Sequence, residues 1–108
     1  MIKTISVSQL NETLKNKFEN IQLIDVREAY ELDICKLENV VHIPLNEIPE
    51  NVDKIRKDVD VVFICRSGGR SAKAIEWLED NYPFENLYNL EGGMLAWSNE
   101  IDTSMAKY

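Results

Sequence analysis

Short apolar runs recur along the chain, and their spacing predicts a series of β-strands. Three of them, at residues 22–24, 40–43 and 87–90, are rich in branched or aromatic side chains. The fourth, residues 60–64, is a nearly continuous β-branched run, which is typical of a strand buried on both faces of a parallel sheet. This run is the strongest strand signal in the sequence, and Cys65 follows it directly.

Apolar residues at helical spacing predict a first helix before these strands. Ser6 followed three residues later by Gln9 is a capping-box pattern, which marks a helix start. Leu10 and Leu14 then lie on one helical face, so the helix is predicted to run to about Lys17.

A longer helix is predicted from Ser71 onward, and it stops before Pro83 because proline disfavours helical backbone in the preceding residue. Its predicted apolar stripe consists of Ala72, Ile75, Leu78 and Tyr82. Residues 28–32 predict a short helix, and residues 46–57 predict at least one helical turn. The pair Gly92-Gly93 predicts a turn into another short helix, and Trp77 and Trp97 are expected to have packing roles.

Strands that alternate with helices at this spacing predict a small α/β domain. Its sheet is expected to be mainly parallel and covered by helices on both faces. Because no repeat, linker or low-complexity segment interrupts the sequence, residues 1–108 are predicted to form a single domain.

The composition narrows the range of partners. The net charge is -7, from 12 Lys and Arg against 19 Asp and Glu, which argues against nucleic acid or an anionic membrane surface as a partner. The sequence contains neither an apolar run of about 20 residues nor a signal-peptide pattern at its start, so we expect a cytoplasmic protein. Two cysteines and one histidine make a disulfide framework or a metal site improbable.

The strongest candidate for chemistry is the segment that follows the buried strand. A thiol there lies at the carboxyl edge of the sheet, where open α/β sheets bind ligands. Backbone N–H groups of a glycine-rich turn and the start of the next helix favour an anion. Together with Arg66 and Arg70, they should lower the pKa of the thiol from about 8.5 toward roughly 3.5 to 7.5. We therefore predict Cys65 as the nucleophile. The predicted binding groups for an anionic substrate are Arg66, Ser67, Gly68, Gly69 and Arg70.

These residues resemble the loop of the rhodanese family and of its structural relatives, the cell-division-cycle type phosphatases and the arsenate reductases. Cysteine-based phosphatases place the arginine six positions after the cysteine, whereas here that position is Ser71 and Arg70 lies five positions on. The resemblance to the six-residue sulfurtransferase loop implies a two-step sulfur transfer through a Cys65 persulfide, from thiosulfate or a protein persulfide to a thiophilic acceptor. No cofactor is implied.

The resemblance extends over nearly the whole chain. Residues 23–27 and 92–97 look like the first and last signatures of the rhodanese family, whereas residues 33–44 depart from its common pattern. That departure and the end of the chain are more similar to the rhodanese-like domain fused to adenylating enzymes of molybdopterin and tRNA-thiolation pathways. This similarity implies a sulfur relay, with a small anionic donor and a protein sulfur acceptor or carrier.

Two other functions stay open at this point. One is an arsenate reductase or phosphatase that uses the same thiolate, and loop length counts against it. The other is a non-catalytic binding module that keeps the rhodanese fold, although such a module has no need of the cysteine or of the anion loop.

Other polar residues and the second thiol have simpler expected roles. Asp25 and Arg27 are expected to form an ion pair that braces the loop, and Arg70 is expected to share in pairing with a carboxylate. His42 is expected to be structural. Cys35 lies in an apolar segment and is expected to pack in the core, with a role as a resolving thiol left open.

Overall fold

The computed structural model describes residues 2–108, apart from the side chain of residue 18. The strands are β1 Lys3–Ile5, β2 Ile21–Asp25, β3 Val40–His42, β4 Asp60–Ile64 and β5 Leu87–Leu90. The α-helices are α1 Val7–Lys17, α2 Ala29–Ile34, α3 Gly69–Asn81 and α4 Gly93–Glu100. Short 3-10 helices occupy Phe18–Asn20, Leu45–Glu50 and Val52–Lys54.

Within the described residues, the five strands form one parallel sheet in the order β1-β5-β4-β2-β3. Strand β4 therefore lies in the centre, between β5 and β2. Its last residue, Ile64, pairs with Asp25 at the end of β2, and Asp25 also pairs with His42 at the end of β3. Because parallel strands share a direction, the segments that follow β2, β4 and β5 meet at one edge of the sheet. The α/β prediction with a mainly parallel sheet is confirmed.

Strand β4 is buried on both faces because its side chains alternate between two apolar layers. Val61 and Phe63 point to the layer covered by α3, and Val62 and Ile64 point to the layer covered by α1 and α4. The first layer also contains Ile24, Val26, Ile75 and Leu78. The second layer also contains Leu10, Leu23, Leu90, Met94 and Trp97. The prediction of helices on both faces is confirmed, and the central strand holds the thiol segment on a rigid base.

The first helix begins as its sequence pattern predicts. The amide of Ser6 donates to Oε1 of Gln9 at 3.0 Å, and the amide of Gln9 donates to Oγ of Ser6 at 3.1 Å. This reciprocal capping box fixes the start of α1.

The structure corrects the predicted stripe of α3. The helix begins at Gly69, two residues before Ser71, and its buried residues are Ser71, Ala74, Ile75 and Leu78. Tyr82 lies beyond the helix and is exposed, and Trp77, which was predicted to pack, is 37% exposed. Trp77 and Tyr82 instead contact each other outside the core, with ring centroids 5.9 Å apart. Trp97 is buried, as predicted.

Strand β1 has no counterpart among the predicted elements. It is three residues long, largely exposed, and pairs with β5 at one edge of the sheet. A strand this short carries no periodicity to detect, so its pairing partner decides its conformation. A helix long and apolar enough to cross a membrane does not occur between residues 2 and 108.

Candidate active site

The thiol of Cys65 lies where β4 ends, at the head of the loop formed by residues 65–70, and the residue is only 1% exposed. The loop turns into α3 through Gly68, whose φ of 106° is a left-handed conformation that favours glycine. This turn brings the Gly68 amide to 3.0 Å from the Sγ atom of Cys65. The Gly68 amide therefore donates a hydrogen bond directly to the sulfur.

Two carbonyl groups of the loop accept hydrogen bonds from amides at the start of α4. The amide of Met94 donates to the carbonyl oxygen of Cys65 at 2.9 Å, and the amide of Leu95 donates to that of Arg66 at 3.0 Å. Gly93 allows this close approach, since a Cβ atom there would overlap with the Cys65 carbonyl oxygen. The Gly92-Gly93 turn therefore docks the start of α4 against the loop and helps to orient its amides.

A side-chain hydroxyl completes the surroundings of the sulfur. Oγ of Ser71 lies 3.2 Å from Sγ of Cys65, and it was not among the residues predicted for the site. Burial raises the pKa of Cys65. Hydrogen bonds from the Ser71 hydroxyl and from the amides of Ser71, Gly68 and Ser67 outweigh burial, so the pKa lies below its ordinary value. The predicted direction of the pKa shift is confirmed, and its main cause is hydrogen bonding.

Asn89, on β5, is the second site residue that the sequence prediction missed. Its Oδ1 atom lies 2.5 Å from Oγ of Ser71, and its Nδ2 atom donates to the carbonyl oxygen of Gly68 at 3.0 Å. A polar residue in the middle of a short apolar strand next to the thiol strand is the signal that could have indicated it.

Arg70 forms a two-pronged ion pair with Glu31 of α2. Its Nη1 and Nη2 atoms lie 2.7 and 2.8 Å from the two carboxylate oxygens. Hydrogen bonding to Arg70 lowers the pKa of Glu31 to about 2, against the effect of its burial. The predicted pairing of Arg70 with a carboxylate is confirmed. Because this carboxylate comes from a separate helix, α2 anchors the end of the loop.

The predicted brace of Asp25 and Arg27 is confirmed as a buried ion pair. Nε and Nη2 of Arg27 donate to the Asp25 carboxylate at 2.9 and 2.8 Å, and both side chains are fully buried. Nη1 of Arg27 donates to the Tyr108 hydroxyl at 2.9 Å, and that hydroxyl donates to Oε1 of Glu31 at 2.9 Å. A continuous chain of polar contacts thus runs from Asp25 to Arg70.

Arg66 reaches away from the loop toward the last residue of the chain. Its Nε atom donates to the carbonyl oxygen of Tyr108 at 2.8 Å, its Nη2 atom donates to the same oxygen, and its guanidinium lies 4.9 Å from the centre of the Tyr108 ring. Gly69 opens α3, and a Cβ atom there would point into open space. Of the six predicted site residues, Cys65 carries the sulfur, Ser67 and Gly68 donate backbone hydrogen bonds to it, and Arg70 acts on it through its charge without a hydrogen bond.

Two further predicted roles are confirmed. His42 is structural, since its Nε2 atom lies 2.6 Å from the carbonyl oxygen of Arg27. Cys35 is buried in the layer of α1 and α4, with Sγ 3.9 Å from Nη1 of Arg27. Among residues 2–108, no group of three His, Cys, Asp or Glu side chains is placed to hold a metal ion.

Comparison with known proteins places this architecture in one family. The model of the rhodanese-like domain matches residues 7–100. YtwF of Bacillus subtilis, named as a candidate sulfurtransferase, is 42% identical over 92% of this chain and 93% of its own. The adenylyltransferase and sulfurtransferase MOCS3 of Drosophila yakuba is 33% identical over 80% of this chain, which spans only 20% of the MOCS3 length.

A solved structure supports the same family assignment. The rhodanese-like domain protein of Staphylococcus aureus superimposes with a TM-score of 0.81 and 34% identity, over 93% of this chain and 95% of its own. The resemblance found in the sequence is confirmed. The chain belongs to the rhodanese-like family.

Proposed function

We propose that this protein is a sulfurtransferase that carries sulfane sulfur as a persulfide on Cys65. The observation that carries the proposal is the pair of donors on the sulfur, the Gly68 amide at 3.0 Å and the Ser71 hydroxyl at 3.2 Å. Such donors stabilise a thiolate, which is the nucleophilic form of cysteine. The names of YtwF and MOCS3 support the same class of reaction.

The proposed reaction has two balanced steps. With thiosulfate as donor, the Cys65 thiolate attacks the sulfane sulfur, a new S–S bond forms, and sulfite leaves with the electron pair of the broken S–S bond. An acceptor thiolate then attacks the terminal sulfur of the persulfide and takes it, and the Cys65 thiolate is regenerated. No general base is required when both attacking thiols are already ionised.

The arginine geometry favours this reaction over that of a phosphatase or arsenate reductase. A phosphoryl or arsenate group stays in the loop as the covalent intermediate and would call for a cationic group facing it, whereas thiosulfate leaves only its sulfane sulfur on Cys65. Here the Arg70 guanidinium is held by both carboxylate oxygens of Glu31, at 2.7 and 2.8 Å. A single terminal sulfur can instead be stabilised by the backbone amides of Ser67 and Gly68 alone. A phosphate-ester assay tests the alternative, and we expect no turnover.

The burial of the thiol favours a small donor and a slender acceptor group. Cys65 is 1% exposed, so thiosulfate or the tip of a cysteine persulfide is expected to reach it more readily than a flat protein surface. We assign Arg66 to attraction of the anionic donor, after release from the Tyr108 carbonyl oxygen. Similarity to MOCS3, named as an adenylyltransferase as well as a sulfurtransferase, supports an activated protein carrier as acceptor.

Intact mass after incubation with thiosulfate tests the proposal. We expect a gain of one sulfur atom that a reductant reverses and that Cys65→Ser abolishes. Cys35→Ser is the matched control because it changes the other thiol, and it should load normally. Loading that survives Cys65→Ser, or a wild-type protein that takes sulfur from neither thiosulfate nor a cysteine persulfide, would refute the proposal.

Two broader expectations stay predictions from the sequence. The protein is predicted to act in the cytoplasm, and residues 1–108 are predicted to fold as one domain. The non-catalytic alternative predicts an inert Cys65, and the same mass measurement tests it.

A further inference from the structure

The hydroxyl of Ser71 has one proton and two acceptors within reach. Oγ lies 3.2 Å from Sγ of Cys65 and 2.5 Å from Oδ1 of Asn89. A hydroxyl donates one hydrogen bond at a time, so the proton lies on one contact or on the other. The sulfur and the amide oxygen therefore compete for it.

The amide of Asn89 is oriented by a second contact. Only the nitrogen of a carboxamide can donate, and Nδ2 of Asn89 lies 3.0 Å from the carbonyl oxygen of Gly68. This contact turns Oδ1 toward Ser71, where it can only accept. Asn89 is thus fixed as an acceptor for the Ser71 proton.

Because these three residues are buried, water cannot supply a hydrogen bond to the acceptor that loses the Ser71 proton. Ser71 is fully buried, Asn89 is 8% exposed and Cys65 is 1% exposed. In such surroundings an acceptor that loses its donor is not compensated by solvent. When Ser71 donates to a thiolate, two oxygen atoms 2.5 Å apart are left facing each other without a proton between them.

The charge on Sγ decides whether the hydrogen bond from Ser71 to Cys65 or the one from Ser71 to Asn89 is more stable. A thiolate holds its negative charge on Sγ and attracts the Ser71 proton. In a thiol or a persulfide, Sγ is uncharged, and the charge of a persulfide lies on its terminal sulfur. In those two forms the hydrogen bond from Ser71 to Asn89 is the more stable one.

We propose that Asn89 is a positioning residue that competes with Cys65 for the Ser71 proton, and so favours the forms of the site in which Sγ is uncharged. The part that concerns the persulfide rests on the proposed function. Asn89 would then stabilise the loaded protein relative to the free thiolate, and limit premature loss of sulfur.

The pH dependence of Cys65 alkylation tests this competition, with peptide mass spectrometry to read Cys65 separately from Cys35. Asn89→Ala should lower the pKa of Cys65 by about one unit, a tenfold shift toward thiolate. In a Ser71→Ala background the same substitution should have no effect, because the shared proton is gone. An unchanged or raised pKa, or an equal decrease in both backgrounds, would overturn the proposal.

The charged and titratable groups around the thiol are constant in this comparison. They are Arg66 of the loop, Arg70 of α3, Glu31 of α2 and Tyr108 at the end of the chain. Asn89→Ala changes none of them. If circular dichroism shows that this variant does not fold, the near-isosteric Asn89→Asp carries the test with the opposite sign. Its carboxylate accepts the Ser71 proton more strongly, and its charge also raises the pKa of Cys65 directly. The rise should therefore be larger in the presence of Ser71 than in a Ser71→Ala background, and an equal rise in both would contradict the proposal.

A second measurement addresses the loaded form. Equilibrating the persulfide with a reference thiol, with the loaded fraction read by intact mass, should show several-fold greater discharge in Asn89→Ala than in the wild type. Equal discharge would overturn the part that concerns the persulfide. If the wild type never loads, the proposed function fails, while the alkylation experiment still decides the competition for the proton.

Discussion

The two sides of the loop at residues 65–70 are stabilised by different kinds of interaction. On the sulfur side the hydrogen-bond partners of the thiol are uncharged, namely the Gly68 amide and the Ser71 hydroxyl, with Asn89 behind them. On the arginine side the partners are ion pairs. These are Asp25 with Arg27 and Glu31 with Arg70, with the Tyr108 hydroxyl between them.

This difference separates activation of the thiol from anchoring of the loop. Hydrogen bonds to the charged form lower the pKa of Cys65, whereas the ion pairs hold the end of the loop against α2 and β2. Substitutions on the sulfur side should therefore change reactivity, and substitutions on the arginine side should change stability. A variant that changes both the reactivity of Cys65 and the free energy of unfolding would contradict this separation.

The largest effect is expected from Asp25→Ala. Arg27 is fully buried, and removal of Asp25 leaves its charge without an ion-pair partner. We expect a loss of about 3–5 kcal/mol in the free energy of unfolding, measured by urea denaturation. The matched control is Asp58→Ala, which breaks the exposed pair with Arg56 and should leave stability nearly unchanged. Equal effects of the two variants would contradict the prediction.

Glu31→Gln should show a smaller effect that depends on pH. The pKa of Glu31 is lowered from 4.5 to about 2 in the folded protein, so its stabilisation is fully present above pH 4.5 and is lost as pH falls toward 2. At neutral pH the substitution should cost about 1–2 kcal/mol, a discounted value because Arg70 is partly exposed.

Urea denaturation of wild type and Glu31→Gln, from neutral pH down to about pH 3, measures this difference. The gap between the two proteins should narrow as the pH falls below 4.5. A gap that stays constant would show that the charge of Glu31 does not carry the stabilisation.

Ser71→Ala should lower the reactivity of Cys65 near neutral pH. Loss of the hydroxyl removes one donor from the Cys65 thiolate and should raise its pKa by about one unit, so alkylation near neutral pH slows by up to about tenfold. The control is Ser98→Ala, another buried serine, whose hydroxyl donates to the Leu95 carbonyl oxygen. If both variants alkylate like the wild type, the sulfur side is not activated by Ser71.

Tyr108→Phe should give the smallest change. It removes the hydroxyl that accepts from Arg27 and donates to Glu31, and should lower the free energy of unfolding by about 1 kcal/mol. The alkylation profile of Cys65 should stay the same, and the exposed Tyr30→Phe should change neither readout. A shifted Cys65 profile in Tyr108→Phe would mean that the two sides of the loop are coupled.

Local patterns in the sequence are sufficient to predict the elements at the centre of this fold. Strand β4 was predictable because residues 60–64 are apolar on both faces, and α1 because Ser6 and Gln9 cap each other. Strand β1 was not predictable, since three largely exposed residues become a strand only through pairing with β5. The exposure of Trp77 depends on which face of α3 packs against the sheet, and the buried face is that of Ala74, Ile75 and Leu78.

Apart from Ser71, the site was predictable as far as it is contiguous in the chain. Cys65 and the glycine turn were evident because strand, thiol and helix start follow one another. Asn89 and Glu31 act on the loop from 18 residues after Ser71 and 39 residues before Arg70, and Tyr108 reaches Glu31 across 77 residues. Such contacts arise from the order of strands and the packing of helices, which local spacing does not encode.

The docking of α4 on the loop has a consequence for how the protein is made. Cys65 leaves the ribosome before Met94 and Leu95, whose amides hold the carbonyl oxygens of Cys65 and Arg66. A nascent chain that ends before α4 has the thiol but lacks the contacts that orient its loop. The cysteine should therefore gain its full reactivity only when α4 has docked.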